Sequence, residues 1–180
     1  MTEIKNIRLV EYAEKYAVST VTMWRTSKEI ALGIKEIHPF DDHLYFLNEV
    51  LAKENTIYLA IQDGSDAVVG IMATNGEILN QLYIHTDFQR RGIGSRLLDL
   101  ARNLSSGKLQ LYTFEINLGA QAFYEKHGFK LRAAGAITKN NSQTFYMSGV
   151  MQDQLQHKKC ITGPRVSLYS CYDSVKQKAY

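Results

Sequence analysis

Residues 82–95, Leu-Tyr-Ile-His-Thr-Asp-Phe-Gln-Arg-Arg-Gly-Ile-Gly-Ser, decide the fold of this chain. The stretch reads as an apolar strand, a short polar turn and a glycine-containing loop, and it leads into an amphipathic helix. The first amide groups of a helix have no partner inside it, and the helix dipole makes that end positive. Gly92 and Gly94 leave the backbone open to a ligand, and Arg90 and Arg91 add positive charge. The sequence therefore predicts a site for a phosphorylated ligand.

The rest of the chain indicates a mixed sheet. The apolar pattern predicts strands over residues 4–10, 56–61, 67–74, 77–84, 108–114, 129–134 and 144–150, and helices over residues 11–34, 93–104 and 117–127, with a further helix that begins near residue 41. Asn75-Gly76 marks a hairpin, because both residues tolerate positive φ. A strand–helix–strand crossover within a mostly antiparallel sheet of about seven strands is typical of an α+β fold. We expect one domain over residues 1–150 and a C-terminal extension over residues 151–180, whose structure the pattern does not predict.

The composition is that of an ordinary globular protein, with 45% hydrophobic and 22% charged residues among 180. No apolar run approaches the roughly 18 residues that span a bilayer, and the N-terminus lacks the apolar stretch of a signal peptide. We therefore expect a cytoplasmic protein with no membrane partner. The excess positive charge lies in residues 151–180, which we interpret as a solvated segment, the alternative being a contact for nucleic acid or an acidic partner. Cys160 and Cys171 lack the spacing of metal ligands and are expected to be free thiols.

Two other phosphate-binding loops are excluded. A nucleotide-binding P-loop requires Gly-x-x-x-x-Gly-Lys-Ser/Thr, and the sequence contains no such string. A dinucleotide fingerprint requires Gly-x-Gly-x-x-Gly after the first strand of a parallel unit. Here Leu97 stands at the third glycine position, and the preceding strands form an antiparallel meander.

Two blocks of sequence resemble the GNAT superfamily of N-acetyltransferases. Residues 89–94, Gln-Arg-Arg-Gly-Ile-Gly, match the family hallmark Arg/Gln-x-x-Gly-x-Gly/Ala. The second block resembles Asn-x-x-Ala-x-x-Phe-Tyr-Glu-x-x-Gly-Phe and is matched by Asn117, Ala120, Phe123, Tyr124, Glu125, Gly128 and Phe129. The resemblance covers about residues 3–150 and implies a GNAT-like acyl-CoA N-acyltransferase fold.

The resemblance also implies the ligand, which is acetyl-coenzyme A used as a co-substrate without a metal. Its pyrophosphate would lie on the loop amides, and the cofactor-binding residues expected there are Gln89, Arg90, Arg91, Gly92, Ile93, Gly94 and Ser95. The end of the preceding strand, Leu82, Tyr83 and Ile84, would pair with the pantetheine arm as if the arm were an added strand. Asn117 is expected to cap its helix, and by resemblance it is also a candidate contact for coenzyme A.

Tyr124 is the candidate catalytic acid. By resemblance it donates a proton to the coenzyme A sulfur when an amine attacks the thioester, and the alternative is a core aromatic residue. Glu77 is the candidate general base, although it stands one residue out of register with the family's glutamate; Glu115 is an alternative base. Trp24 and His38 are candidate acceptor-binding residues, because this region walls the acceptor pocket in the family. For Trp24 the alternative is core packing, and for His38 a structural or solvated role.

The chain is therefore expected to be an N-acetyltransferase. It would move the acetyl group of acetyl-CoA to a primary amine by direct attack in a ternary complex. A small amine and a protein or peptide amine both remain open as acceptors, and a homodimer is an open alternative to a monomer. The other function class that stays open is a non-catalytic CoA-binding or partner-binding module of the same fold.

Overall fold

A seven-stranded sheet in the order β1-β2-β3-β4-β5-β7-β6 forms the centre of the molecule. The computed structural model describes residues 6–137 and 143–150, with side chains for residues 6–130. The strands are β1 (Ile7–Glu11), β2 (Thr56–Gln62), β3 (Val68–Thr74), β4 (Ile78–Ile84), β5 (Lys108–Phe114), β6 (Lys130–Ile137) and β7 (Gln143–Val150). The helices are α1 (Ala17–Leu32), α2 (Phe40–Tyr45), α3 (Ala52–Glu54), α4 (Ile93–Asn103) and α5 (Leu118–Lys126), and a π-helical segment (Phe46–Leu51) joins α2 to α3.

The sheet is mixed, as the sequence predicts. Strands β1 to β4 pair antiparallel, β4 and β5 pair parallel, and β5, β7 and β6 are again antiparallel. The β3–β4 connection is the predicted hairpin: Gly76 has φ +90°, and Asn75 Oδ1 accepts hydrogen bonds from the amides of Glu77 and Ile78 at 3.0 and 2.8 Å. The parallel crossover between β4 and β5 runs through α4. The predicted α+β class and strand number are confirmed.

Two apolar cores lie on opposite faces of the sheet. One core packs α4 and α5 against the strands, and its α4 members are Ile93, Leu97, Leu98 and Ala101. The other core packs α1 and the π-helical segment against β2 and β3, with Val21, Trp24, Leu47, Leu59 and Ile71 among its buried members. Strand β3 is buried along its whole length because helices cover both of its faces.

The N-terminal helices differ from the prediction in their bounds. The helix predicted over residues 11–34 begins only at Ala17, because β1 continues to Glu11 and a short 3₁₀ turn (Glu14–Tyr16) precedes it. It ends at Leu32 and is capped by Gly33, which has φ +67° and donates its amide to Glu29 O at 2.9 Å. None of the described helices is long and apolar enough to cross a membrane. Residues 151–180, with Cys160 and Cys171, lie outside the described part of the chain, so the domain boundary at residue 150 stays a prediction.

Candidate active site

Strands β4 and β5 diverge and form a V-shaped opening in the sheet. Their parallel pairing is limited to Ile78 opposite Gln110 and Leu79 opposite Leu111. Beyond Leu79, β4 stays paired with β3 alone, while β5 pairs along its full length with β7. The V therefore exposes one backbone edge of β4 toward its C-terminal end. An extended ligand could pair with such an edge as an added strand.

A backbone cradle lies where β4 leads into α4. Arg90 and Gly92 both adopt left-handed conformations, with φ +58° and +86°, so that the loop curls around its own amide groups. Within the described residues, the six amides of residues 90–95 make no intramolecular hydrogen bond, and the first α4 amide that does is that of Arg96, to Gly92 O at 3.0 Å. These donors and the positive end of α4 lie where the sequence predicts an anion site, and anion binding there stays a prediction.

The remaining loop side chains support the cradle. Gln89 Nε2 donates to Ile84 O at 3.2 Å, which ties the loop to the end of β4. The Arg91 guanidinium lies 4.9 Å from the centre of the Phe88 ring. His85, to which the sequence assigns no chemistry, accepts the amide of Asp87 at 3.3 Å and so holds the turn between β4 and the loop.

The start of α4 packs directly on α5. A Cβ added to Gly94 would lie 3.5 Å from the Phe123 ring, so the two helices approach closely at this point. One turn further along α5, His127 Nε2 lies 2.9 Å from Ser95 Oγ. The sequence assigns His127 only to a helix end, because nothing in its neighbourhood indicates that it faces another helix.

Tyr124 lies on α5 and is buried between Phe123 and Phe129, at ring-centre distances of 5.2 and 5.6 Å. Burial, and to a lesser extent Tyr83 on β4, raise the pKa of Tyr124 well above its usual value. The phenol therefore stays protonated at neutral pH and can act as a donor. Asn117 caps α5, since its Oδ1 accepts the amide of Ala120 at 3.1 Å. The predicted cap is confirmed, whereas the contact of Asn117 with coenzyme A stays a prediction.

On the other face of the sheet, Trp24 lies at the centre of an aromatic cluster. Its ring centre is 5.8 Å from His43, 6.1 Å from Phe46 and 6.3 Å from Tyr83. The indole is buried, and its Nε1 has no hydrogen-bond partner among the described residues. Trp24 is thus part of the core, and through Tyr83 it also reaches the strand that borders the V.

A buried ionic cluster joins α1 to the segment before α2. Glu36 Oε2 accepts hydrogen bonds from Lys28 Nζ at 2.6 Å and from His43 Nε2 at 3.3 Å. Arg25 donates to His38 O at 2.7 Å and contacts His43 Nδ1 at 3.1 Å. Burial alone would raise the pKa of Glu36, but the hydrogen bonds from His43 and Lys28 outweigh it and hold that pKa far below its usual value. Burial also lowers the pKa of His38.

The two candidate bases lie on the surface. Glu77 is exposed and immediately precedes β4, so about 20 Å of strand separates it from Tyr83. Glu115 is exposed after β5, and its carbonyl oxygen accepts a hydrogen bond from Gln121 at 2.7 Å. The fold therefore brings Trp24 against Tyr83, and Tyr124 close enough to interact with it, beside the strand that borders the V, whereas both carboxylates lie on the surface. Their roles stay predictions.

Comparisons with known proteins agree with this geometry. Residues 53–131 match the family model described as acetyltransferase (GNAT) domain. The peptidyl-lysine N-acetyltransferase YjaB of Salmonella typhimurium is 31% identical over 137 residues, which cover 73% of this chain and 88% of the relative.

Solved structures share the fold. The solution structure of apo YjaB from Escherichia coli has a TM-score of 0.63 and 20% identity, and the match covers 81% of this chain and 98% of that one. The PaiA N-acetyltransferase of Thermoplasma acidophilum, solved with coenzyme A, has a TM-score of 0.62 and 18% identity over 80% of this chain and 98% of its own. The YncA protein of Salmonella typhimurium, solved with acetyl-CoA, has a TM-score of 0.61 and 15% identity over 87% of this chain and 100% of its own.

Proposed function

This chain belongs to the GNAT family of acetyltransferases, and we propose that its acceptor is the side-chain amine of a lysine in a peptide or protein. The enzyme class is that of an acetyl-CoA-dependent N-acetyltransferase. The acceptor is inferred from the relative named as a peptidyl-lysine N-acetyltransferase, which matches 73% of this chain.

The cofactor site is proposed to lie in the V between β4 and β5 and on the loop that follows β4. The pyrophosphate would accept hydrogen bonds from the amides of residues 90–95, and Arg90 and Arg91 would add charge attraction. The pantetheine arm would then run back along the open edge of β4, pairing with Leu82, Tyr83 and Ile84. An arm that enters beside Ile84 and follows this edge brings its thioester toward the apex of the V, where β4 and β5 first separate.

Transfer at this position needs one proton donor and one proton acceptor. As the amine nitrogen forms its bond to the acetyl carbon, the carbon–sulfur bond breaks and charge collects on sulfur. Tyr124 would donate a hydrogen bond to that sulfur, and its raised pKa keeps the donor in place at all neutral pH values. The ammonium loses one proton before attack, and Glu77 remains the candidate acceptor for it, reached from the apex through ordered water because about 10 Å of strand separates it from Asn80. The nitrogen loses a second proton as the amide forms, and this proton balances the one that Tyr124 would give to the leaving sulfur.

An acetylation screen tests the acceptor. Purified protein would be given acetyl-CoA with lysine peptides, peptides with only an N-terminal amine, polyamines and aminoglycosides, and the release of free coenzyme A would be followed. We expect turnover with lysine peptides and Nε-acetyl-lysine in the product by mass spectrometry. Turnover with small amines alone would contradict the acceptor, and acetyl-CoA binding without any transfer would indicate the non-catalytic alternative. The cytoplasmic location and the homodimer stay proposals. Cell fractionation would test the first, and light scattering would test the second.

A further inference from the structure

Asn80 is the residue at which β4 leaves both of its neighbours. On the β5 side, the last parallel pair is Leu79 opposite Leu111. On the β3 side, the register passes from Leu79 opposite Thr74 directly to Gln81 opposite Ala73, so Asn80 is the extra residue of a β-bulge. Bulges redirect side chains and are frequent beside active sites. Asn80 therefore marks the apex of the V.

A chain of two hydrogen bonds holds the Asn80 side chain on the face covered by α1 and α3. Asn80 Nδ2 donates to Asn55 Oδ1 at 2.6 Å, and Asn55 Nδ2 donates to Leu51 O at 3.0 Å. Asn55 directly follows α3. The apex of the V is thus tied to the helical segment that covers this face of the sheet.

The direction of both hydrogen bonds follows from the last acceptor in this series, the backbone carbonyl of Leu51. Because Leu51 O can only accept, Asn55 must turn its NH₂ group toward it. The Oδ1 atom of Asn55 then faces Asn80, which must donate in turn. This leaves Asn80 Oδ1 as an acceptor that makes no hydrogen bond within the described part of the chain.

We propose that Asn80 is an acceptor-binding residue whose Oδ1 accepts a hydrogen bond from the N–H of the attacking lysine amine. The inference rests on the proposed function, because it places the thioester at the apex. An amine attacks with its lone pair toward the acetyl carbon and its N–H bonds pointing away. A fixed amide oxygen on that outer side accepts an N–H from both the ammonium and the neutral amine, and in the neutral amine it thereby directs the lone pair toward the acetyl carbon. An amide takes up no proton, so Asn80 orients the nucleophile and leaves deprotonation to another group.

Asn55 acts through Asn80 and is a positioning residue. If Asn55 is removed, the Asn80 amide can rotate and present either its oxygen or its NH₂ group to the amine. The loss should be smaller than the loss of Asn80 itself, because the favourable rotamer stays accessible.

Steady-state kinetics on four variants test the proposal. Asn80→Ala should raise the KM of the lysine peptide by about tenfold, the equivalent of one lost hydrogen bond, and leave the KM of acetyl-CoA unchanged. Asn55→Ala should raise the KM of the lysine peptide by about threefold and likewise leave the KM of acetyl-CoA unchanged. Asn80→Asp keeps the size of the side chain but loses the NH₂ group that donates to Asn55 Oδ1. Its carboxylate should still hold the bound ammonium and move the acidic limb of the kcat–pH profile to higher pH. Asn103→Ala, at the exposed end of α4, is the control and should change nothing.

The outcomes separate the two proposals. The wild type is measured first, and if it transfers acetyl groups only to another amine of the panel, the lysine acceptor fails and the Asn80 variants are assayed with that amine. An unchanged acceptor KM in Asn80→Ala together with an unchanged kcat–pH profile in Asn80→Asp would overturn the inference. A change confined to the KM of acetyl-CoA would overturn it as well. Should Asn80→Ala fold poorly, as judged by thermal unfolding, the Asn80→Asp profile decides alone.

Discussion

Ser95 on α4 and His127 at the end of α5 are joined by a hydrogen bond of 2.9 Å between Oγ and Nε2. The other ring nitrogen, Nδ1, lies 2.8 Å from Phe123 O, and because a carbonyl only accepts, Nδ1 carries the hydrogen. In the neutral imidazole Nε2 is therefore the acceptor, and the Ser95 hydroxyl donates to it. This bond connects the helix that begins at the anion cradle with the helix that carries Tyr124. Together with the packing of Gly94 against Phe123, it is one of the contacts that join the two helices.

Replacing His127 should reduce turnover without abolishing cofactor binding. We expect His127→Ala to lower kcat roughly tenfold, because a small displacement of α5 moves Tyr124 relative to the thioester. The loss of one hydrogen bond should also lower the free energy of unfolding by about 1 kcal/mol. His127→Gln, whose amide oxygen can still accept a hydrogen bond from Ser95, should recover part of the kcat and part of the free energy of unfolding. Lys126→Ala, an exposed neighbour, is the control, and equal effects in the two alanine variants would contradict this role.

The two loop glycines should respond differently to alanine. Gly92 has φ +86°, so Gly92→Ala has to leave this conformation or bear a cost of about 1–2 kcal/mol, and acetyl-CoA should bind about tenfold more weakly. Gly94→Ala would place its Cβ 3.5 Å from the Phe123 ring, which is an ordinary contact, and should bind almost as wild type. Calorimetric titration with acetyl-CoA measures both. Equal affinities for the two variants would be inconsistent with a cradle shaped by Gly92.

The strand, loop and helix start around residues 82–95 could be predicted because they depend on local chemistry. A strand, a left-handed loop and a helix start follow one another within residues 82–95, and each carries its own signal in glycine, arginine or apolar spacing. The hairpin at Asn75-Gly76 and the cap at Asn117 are local in the same sense. None of these features needs a distant residue to define it.

The contacts on the face of the sheet that α1 covers could not be predicted in the same way. The ionic cluster around Glu36 requires α1 and the segment before α2 to pack together, and the bond between Asn80 and Asn55 spans 25 residues. The bulge at Asn80 arises from the pairing of β4 with β3, and no residue type marks it in the sequence. Side chains that meet only in the folded chain leave no spacing pattern.

Tyr124→Phe should separate chemistry from binding. Removing the hydroxyl takes away the donor to the leaving sulfur but keeps the ring that packs between Phe123 and Phe129. We expect kcat to fall by roughly 100-fold, within the usual range for loss of a general acid, while the affinity for acetyl-CoA stays nearly unchanged. Tyr45→Phe, at an exposed position, is the matched control and should keep full activity. Undiminished kcat in Tyr124→Phe would exclude its role as the acid.

Two lysine–glutamate ion pairs have the same Nζ–Oε2 distance, so that the buried ionic cluster can be tested against a surface pair. Lys28 and Glu36 lie 2.6 Å apart with side chains 18% and 4% exposed, whereas Lys53 and Glu49 lie 2.6 Å apart with side chains 64% and 46% exposed. An exposed pair contributes little to stability because water and salt screen it. Breaking a buried pair leaves a charge without its partner, which costs far more.

Glu36→Gln should therefore destabilise the protein in a manner that depends on pH. The pKa of Glu36 is lowered on folding, so the ionised carboxylate stabilises the protein above its unfolded pKa, and this contribution is lost as pH falls below that value. At pH 7 we expect a loss of about 2–3 kcal/mol relative to wild type in urea unfolding, and a clearly smaller loss at pH 3. Glu49→Gln should leave the free energy of unfolding nearly unchanged at both pH values. A loss from Glu36→Gln that is the same at pH 7 and pH 3 would mean that packing of the side chain, and not its charge, accounts for its contribution.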